Sequence, residues 1–233
     1  MPAQGGGHVL SAAGPAAPDV PAGPVAPAAA PAPPAPPPAP GARRIALRVL
    51  GVLALVAADL WSKARVFAHL EALGARRELV FDGHGHPRLP LSSGEHDAWL
   101  ALMLSENPGA AFGRLEDFPW PLVLGRAAAS LFLLWMIARS AAGRPLFNLA
   151  LVLVLAGALG NLHDNLLLDR PDDAHPFGLV RDFLDVYFGV WDWHFPTFNL
   201  ADSCITVGAV LLLLSSLRGE GRGTGVATPE PRN

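Results

Sequence analysis

Four long apolar runs dominate the pattern of hydrophobic and polar positions along this chain. They extend over Ile45 to about Phe67, Trp120 to Ile137, Leu146 to Leu162 and Leu200 to Leu217. At ~1.5 Å per helical residue, each run is about long enough to cross a hydrocarbon layer of ~30 Å. Each is also apolar all round rather than along one stripe, which argues against the alternative of a soluble helical bundle. The pattern therefore predicts four transmembrane helices.

Arginines in the short connecting segments predict the orientation of these helices. They precede the first run, separate the second from the third and follow the fourth, as Arg43, Arg44, Arg48, Arg139, Arg144, Arg218 and Arg222. Segments with excess positive charge remain on the cytoplasmic side of a membrane. Both termini are therefore predicted to be cytoplasmic, and the segments of about 68–119 and 163–199 are predicted to lie on the outer side.

Composition supports a membrane protein and excludes other classes. The chain is 51% hydrophobic and 16% charged, and its mean hydropathy is +0.33, which exceeds what a soluble domain of this length needs. A net charge of −3 without a basic stripe gives no support for nucleic-acid binding. The single cysteine, Cys204, cannot form an intrachain disulfide and is expected to be a small packing residue.

The helical region is predicted to be flanked by two disordered cytoplasmic tails. Residues 1–41 are almost wholly Ala, Pro and Gly, a composition that cannot bury enough apolar surface to offset chain entropy. Residues 218–233 are rich in Gly and carry Arg. The membrane domain is thus expected to span residues 42–217.

The first outer segment is predicted to contain a small β-sheet. Arg77 to Phe81 and Trp99 to Leu104 have the composition of short strands, and the residues from Asp82 to Pro87 are typical of a turn. Three histidines follow the first strand, namely His84, His86 and His96. A Gly-rich turn without cysteine or regular ligand spacing is weak support for a metal site. Neither a metal nor another cofactor is predicted.

Asp182 and Asp202 are the candidate catalytic residues. Asp202 opens the fourth apolar run, and Asp182 precedes it in the second outer segment. A carboxylate at the mouth of a membrane helix is costly to desolvate and by default marks a functional site. Two converging carboxylates can share one proton, so that one acts as base and the other as acid in peptide hydrolysis. Asp185 is the alternative for the first catalytic position.

Further polar residues are expected at the same membrane depth. Asp59 and Lys63 are four apart within the first run, so they can form an ion pair on one helical face. Asn161 and Asp164 share a face at the end of the third helix, and Asn199 can cap the fourth helix. The clustering of these groups at the outer helix ends supports a site at that surface.

Five sequence blocks in this order closely resemble the bacterial lipoprotein signal peptidases, also called signal peptidase II. The blocks are residues 59–63 (DLWSK), 107–112 (NPGAAF), 157–164 (GALGNLHD), 180–183 (VRDF) and 193–203 (WHFPTFNLADS). The resemblance covers roughly residues 45–217. It implies an all-α protein of the bacterial inner membrane, with four transmembrane helices, a small periplasmic β-cradle and a periplasmic loop or helix.

The resemblance also implies the activity and the role of each site residue. It implies an aspartyl endopeptidase that cuts prolipoproteins just before a diacylglyceryl-modified cysteine, works among membrane lipids at the periplasmic side and is inhibited by the cyclic peptide globomycin. Asp182 and Asp202 match the catalytic aspartates of the family. The residues that match its supporting polar positions are Asp59, Lys63, Asn107, Asn161, Asp164 and Asn199.

One position departs from the pattern of the family. Asn165 occupies the place of an arginine that usually follows the aspartate of the third-helix motif, and His163 replaces a residue that is commonly apolar or aromatic. A neutral amide cannot supply the positive charge and five donors of a guanidinium. Either Arg126, Arg170 or Arg181 supplies this charge, or the local network is weaker in this chain.

Two other functions remain open at this point. A small transporter or proton relay would also use intramembrane carboxylates, but it would need acidic residues on the inner half of the helices, where the sequence has none. A catalytically dead binder of lipoprotein precursors is the other alternative. Zinc peptidases are disfavoured, because no His-Glu-x-x-His motif occurs.

Overall fold

The computed structural model describes residues 41–82, 85–93, 98–107, 119–170 and 176–219. These residues form four helices and one five-stranded sheet. In chain order the elements are α1 (Ala42–Arg76), β1 (Val80–Phe81), β2 (Pro87–Pro90), β3 (Leu100–Asn107), α2 (Pro119–Arg139), α3 (Pro145–Leu167), β4 (Val180–Phe188), β5 (Trp193–Phe198) and α4 (Leu200–Leu217). The predicted tails lie outside the described residues, except for Gly41, Arg218 and Gly219.

All four helices have the length and composition needed to cross a membrane. The bounds of α2, α3 and α4 lie within a few residues of the predicted ones. The helix α1 is longer than predicted and continues from Phe67 to Arg76. Hydropathy marks only the apolar part of a helix, so it could not reveal this more polar continuation.

Helix α3 is the centre of the helical bundle, because it packs against α1, α2 and α4. Small residues on α3 and α4 permit this packing. A side chain at Gly157 would meet the carbonyl oxygen of Ala201 on α4, and one at Gly208 would meet Val154 on α3. The apolar core between α1, α2 and α3 includes Val52, Leu133, Ile137, Leu151 and Leu155. This close helix contact places Asp59 and Lys63 of α1 beside the C-terminal end of α3 and the N-terminal end of α4.

The sheet is antiparallel throughout and its strands follow chain order, from β1 to β5. Strands β1 and β3 confirm the predicted positions, although β1 is shorter and β3 extends to Asn107. Strands β2, β4 and β5 were not predicted, and prolines at both ends of β2 and within β5 weaken their sequence signal. The fold therefore contains a larger sheet than the sequence indicated.

The register of the sheet sets the directions of two aspartates on β4. Asp182 lies opposite Ser105, and Asp185 lies opposite Ala101, with a register shift on β3 between these pairs. Because side chains alternate along a strand, residues three apart point to opposite faces. Asp182 and Asp185 therefore belong to different environments.

Candidate active site

The first turn of α4 fixes the position of Asp202. Asn199 is the N-cap residue, and its side-chain oxygen accepts the backbone N–H of Asp202 at 2.9 Å. In return, Asp202 Oδ2 accepts the backbone N–H of Asn199 at 3.2 Å, which completes a capping box. The other oxygen, Oδ1, accepts an N–H from Asn161 on α3 at 2.8 Å. The carboxylate thus lies at the positive end of the helix dipole, held by two elements.

Asp182 lies on β4 beside the same cap. Asn199 donates its side-chain N–H to Asp182 Oδ1 at 2.7 Å, and Asn107 donates to Oδ2 at 3.2 Å. The Asn199 amide also lies 3.1 Å from the oxygen of Asn161. Asn199 therefore contacts both aspartates, with its oxygen facing Asp202 and its nitrogen facing Asp182.

The two aspartates are close enough for one charge to affect the other. Burial is the main cause that raises the pKa of Asp182 from its ordinary 3.8 to about 7, and the negative charge of Asp202 adds to it. Hydrogen bonds from Asn107 and Asn199 and the positive charge of Lys63 oppose this rise. Asp182 is 1% exposed. At neutral pH one carboxyl of the pair can therefore hold a proton while the other is ionised.

A buried ion pair connects α1 to this site. Lys63 Nζ lies 2.8 Å from Asp59 Oδ2 and donates to Asn161 Oδ1 at 2.9 Å. Asp59 Oδ1 accepts the backbone N–H of Ala201 in the first turn of α4 at 2.8 Å. The predicted ion pair therefore forms, and it joins α1 to both α3 and α4.

Asp164 connects α3 to β4 through Arg181. The Arg181 guanidinium contacts both carboxylate oxygens of Asp164, at 2.9 and 3.3 Å, and the Arg181 backbone N–H donates to Asp164 Oδ2 at 3.2 Å. Lys63 lies 3.4 Å from the same carboxylate. Lys63 and Arg181 thus contribute two positive charges, and Asp59 and Asp164 contribute two negative ones. These charges offset one another at a buried position where an unpaired charge would be costly.

Arg126 on α2 contacts Asn165, the residue that stands where the family usually has an arginine. It donates to Asn165 Oδ1 at 2.5 Å, and Asn165 in turn donates to the carbonyl oxygen of Gly178 at 2.8 Å. Asp202 and Asp182 also attract the Arg126 guanidinium electrostatically. Of the three arginines considered from sequence, Arg126 is therefore the one joined to Asn165, while Arg181 is engaged with Asp164 and Arg170 is exposed beyond α3.

Asp185 belongs to a separate cluster on the other face of the sheet. Its carboxylate contacts Arg88 Nη2 at 2.6 Å and His194 Nδ1 at 2.8 Å. Sequence reasoning missed this cluster, because Arg88 has no motif around it and its closeness to Asp185 depends on strand register. The geometry thus separates Asp185 from the pair formed by Asp182 and Asp202.

The predicted site residues on the described part of the chain converge. Each of them takes part in one connected set of hydrogen bonds and ion pairs, namely Asp59, Lys63, Asn107, Asn161, Asp164, Asp182, Asn199 and Asp202. The rest of the block that begins at Asn107 lies outside the described residues, as do His84 and His96. His86 is described and lies elsewhere, beside Asp82 at the β1–β2 turn.

Comparison with known families confirms the resemblance seen in the motifs. The sequence model of the family described as signal peptidase (SPase) II matches residues 51–218. A lipoprotein signal peptidase of Burkholderia vietnamiensis is 46% identical over 125 residues, which cover 52% of this chain and 68% of that protein. One of Photorhabdus laumondii is 36% identical over 148 residues, or 62% of this chain and 79% of that protein.

Solved structures support the same fold. Two structures described as bacterial membrane enzymes, determined by the in meso method, superpose with TM-scores of 0.52 and 0.51 at 22% sequence identity. The first covers 79% of this chain and 96% of its own, and the second 75% and 94%.

Proposed function

Because the chain belongs to the signal peptidase II family, whose proteases remove signal peptides from prolipoproteins, we propose that it is an aspartyl endopeptidase of the bacterial inner membrane. Its substrates are diacylglyceryl-modified prolipoproteins, which it cuts just before the lipidated cysteine. Asp182 and Asp202 are its catalytic residues. The observation that carries this proposal is the contact of Asn199 with both carboxylates, through its backbone N–H to Asp202 and through its side-chain amide to Asp182.

The geometry favours a division of roles between the two aspartates. Asp202, as a carboxylate at the start of α4, accepts a proton from water while the water oxygen attacks the scissile carbonyl carbon. Asp182, whose pKa is raised to about 7, is the acid, and its proton goes to the nitrogen of the leaving amine as the carbon–nitrogen bond breaks. An acid with a pKa near the working pH is suited to this step.

Asn199 and Asn161 are positioning residues in this mechanism. Their amides hold one oxygen of each carboxylate, at 2.7 Å for Asp182 and 2.8 Å for Asp202. The buried charges of Lys63 and Arg181 are already paired with Asp59 and Asp164. A fixed polar environment of this kind needs little reorganisation during the reaction.

An apolar cavity of about 360 Å³ supports lipid binding next to the site. It lies between α1, α2 and α3 and extends from Leu162, the neighbour of Asn161, to Val49 and Ile137. Its lining is almost wholly aliphatic. We assign it to an acyl chain of the substrate, because an apolar chain would lose little by moving from the bilayer into such a cavity.

The positive charges support a periplasmic site and cytoplasmic termini. Arg48 on α1 donates to the carbonyl oxygens of Ile137 and Ser140 at the end of α2, so these arginine-bearing ends lie together. Lys63 and Asn161 lie towards the other ends of their helices. With the positive ends in the cytoplasm, the aspartates face the periplasm.

Cleavage of a lipidated prolipoprotein by the purified full chain tests the proposal. Asp182→Asn and Asp202→Asn each keep side-chain size but remove the acidic group, so each should lower turnover by several orders of magnitude, about 10³-fold or more. The double variant should be hardly slower than either single variant, because the pair acts as one unit.

The matched control is Glu71→Gln, an exposed carboxylate on α1. Its turnover should equal that of wild type, and globomycin should inhibit both. Thermal stability of every variant separates loss of chemistry from loss of fold. Substantial cleavage by either aspartate variant would remove the pair from the mechanism, whereas binding of precursor without any cleavage by wild type would favour a dead binder.

A further inference from the structure

A second group of chemically competent side chains lies on the sheet, away from the catalytic aspartates. Asp82 follows β1, His86 precedes β2, and His194 lies on β5. Asp82 Oδ2 is 3.2 Å from His86 Nδ1 and 3.3 Å from His194 Nε2. One ligand atom from each residue lies within 4.8 Å of the other two. Two potential metal ligands from the β1–β2 turn thus lie close to a third, His194, which is distant in sequence.

Two of these ligands are held in place by further contacts. Asp82 Oδ1 accepts the backbone N–H of His86 at 2.8 Å, which leaves Oδ2 directed at the imidazoles. His194 Nδ1 lies 2.8 Å from Asp185 Oδ1, and Asp185 is itself paired with Arg88 at 2.6 Å. A carboxylate that accepts the Nδ1–H of a histidine fixes the tautomer in which Nε2 can coordinate a metal.

From this geometry we infer that Asp82, His86 and His194 bind a divalent transition-metal ion, with Zn²⁺ as the best match. Zinc–nitrogen and zinc–oxygen bonds of about 2.0–2.1 Å at tetrahedral angles place neighbouring ligand atoms about 3.3 Å apart. The two distances to Asp82 Oδ2 agree with this spacing. Two imidazoles and one carboxylate suit zinc better than the hard ions Mg²⁺ or Ca²⁺, which prefer oxygen ligands.

Charge at the site is also suited to a cation. Arg88 neutralises Asp185, so the orienting carboxylate adds little net charge. Asp82 then supplies one negative charge in a side chain that is 2% exposed. A bound Zn²⁺ would neutralise this buried carboxylate and leave a fourth coordination position for water.

The inferred metal would connect the β1–β2 turn to β5, at the two opposite edges of the sheet order. Asp82 and His86 belong to the β1–β2 turn, whereas His194 lies on β5, the last strand in the sheet order. Asp185, which orients His194, points to the face opposite Asp182. The ion would therefore stabilise the sheet without contacting the catalytic pair.

Zinc titration of the full chain, prepared without a histidine tag and stripped with EDTA, tests this inference. Isothermal titration calorimetry in detergent should give one Zn²⁺ per chain, and Co²⁺ should give the intense visible absorption of a tetrahedral complex. His86→Gln should weaken Zn²⁺ binding at least about tenfold. Zn²⁺ should also raise the Tm of wild type but not that of His86→Gln.

Matched variants distinguish this site from adventitious binding. The chain has eight histidines, so the control is His69→Gln, an exposed histidine on α1, which should bind as wild type does. Asp185→Asn keeps all three ligands and should weaken binding about 10- to 100-fold through loss of orientation.

The His86 side chain is 53% exposed, so its replacement should leave the fold intact. The comparison of wild type with His86→Gln therefore tests the metal site even if the other variants unfold. Equal Zn²⁺ binding by wild type and His86→Gln would overturn the inference. So would the absence of Zn²⁺ binding by wild type, which would mean that the imidazoles only form hydrogen bonds to Asp82.

Discussion

Replacement of Asp182 by Asn should make the protein more stable at alkaline pH while abolishing its activity. The raised pKa means that the folded state prefers the protonated form of Asp182. From pH 3.8 to about 7 the folded chain holds a proton that the unfolded chain has released, so wild-type stability falls as pH rises through this window. The asparagine of the variant cannot ionise and avoids this loss.

The size of the effect follows from the pKa. A rise from 3.8 to about 7 corresponds to about 4 kcal/mol at ~1.4 kcal/mol per pH unit. This is an upper value, because Asn also changes the hydrogen bonds to Asn107 and Asn199. For a chain of this size, ~1 kcal/mol corresponds to a Tm change of about 2–4 °C. The expected gain is therefore several degrees above pH 7 and close to zero near pH 4.

Thermal unfolding in detergent at a series of pH values measures this difference. The Tm of Asp182→Asn minus that of wild type should grow between about pH 4 and 7 and then level off, whereas Glu71→Gln should show no such trend. In a chain that carries Asp202→Asn, the stability loss caused by Asp182 should end at a lower pH than in wild type. The reason is that the charge of Asp202 contributes to the raised pKa of Asp182. A Tm difference independent of pH, or one of opposite sign, would refute the reasoning.

Four further predictions concern the surroundings of the pair. Arg126→Ala should lower turnover by about tenfold or more (~1.4 kcal/mol), whereas Arg170→Ala, at an exposed position, should have little effect. Adding Asn165→Arg to the Arg126→Ala variant should partly restore its turnover. Equal, mild losses in both alanine variants would show that the charge is not needed. Gly160→Ala should destabilise the protein by about 1–3 kcal/mol in chemical unfolding, because the added Cβ would lie 2.5 Å from Asp59 Oδ2; an unchanged midpoint would contradict this. Deletion of residues 1–41 should leave insertion and cleavage intact, and a topology assay showing inversion would overturn that expectation. Dialysis against a chelator should leave turnover unchanged below the Tm of the stripped protein, since two carboxylates suffice for hydrolysis, and recovery of lost turnover by added zinc would contradict a metal-free mechanism.

Hydropathy predicted the four helices, and the sequence motifs selected the polar residues that the structure brings together in the candidate site. Leu200 to Leu217 was predicted as a helix with the bounds that the structure has, because a run of apolar residues after an Asn cap leaves few alternatives. Asp59, Lys63 and Asp202 could be selected because charged groups within or at the start of apolar runs stand out from their neighbours, whereas Asn107, on a strand, was selected only through the resemblance to the family.

The sheet and its side-chain clusters could not be predicted in the same way. Strand β4 pairs with β3 across two intervening helices, and Asp185 meets Ala101 only in one register. A shift of one residue would reverse every side chain, and local sequence does not specify it. For the same reason, the contact between His194 and Asp82 could not be predicted from the sequence.

The capping role of Asn199 couples the chemistry of this enzyme to the completion of its fold. The hydrogen bonds that close the first turn of α4 also hold Asp202, and the same amide orients Asp182. A newly inserted chain whose last helix has not docked therefore does not yet hold the two proposed catalytic carboxylates in position. Under the proposed mechanism, cleavage therefore becomes possible only after α4 has packed against α3 and β4.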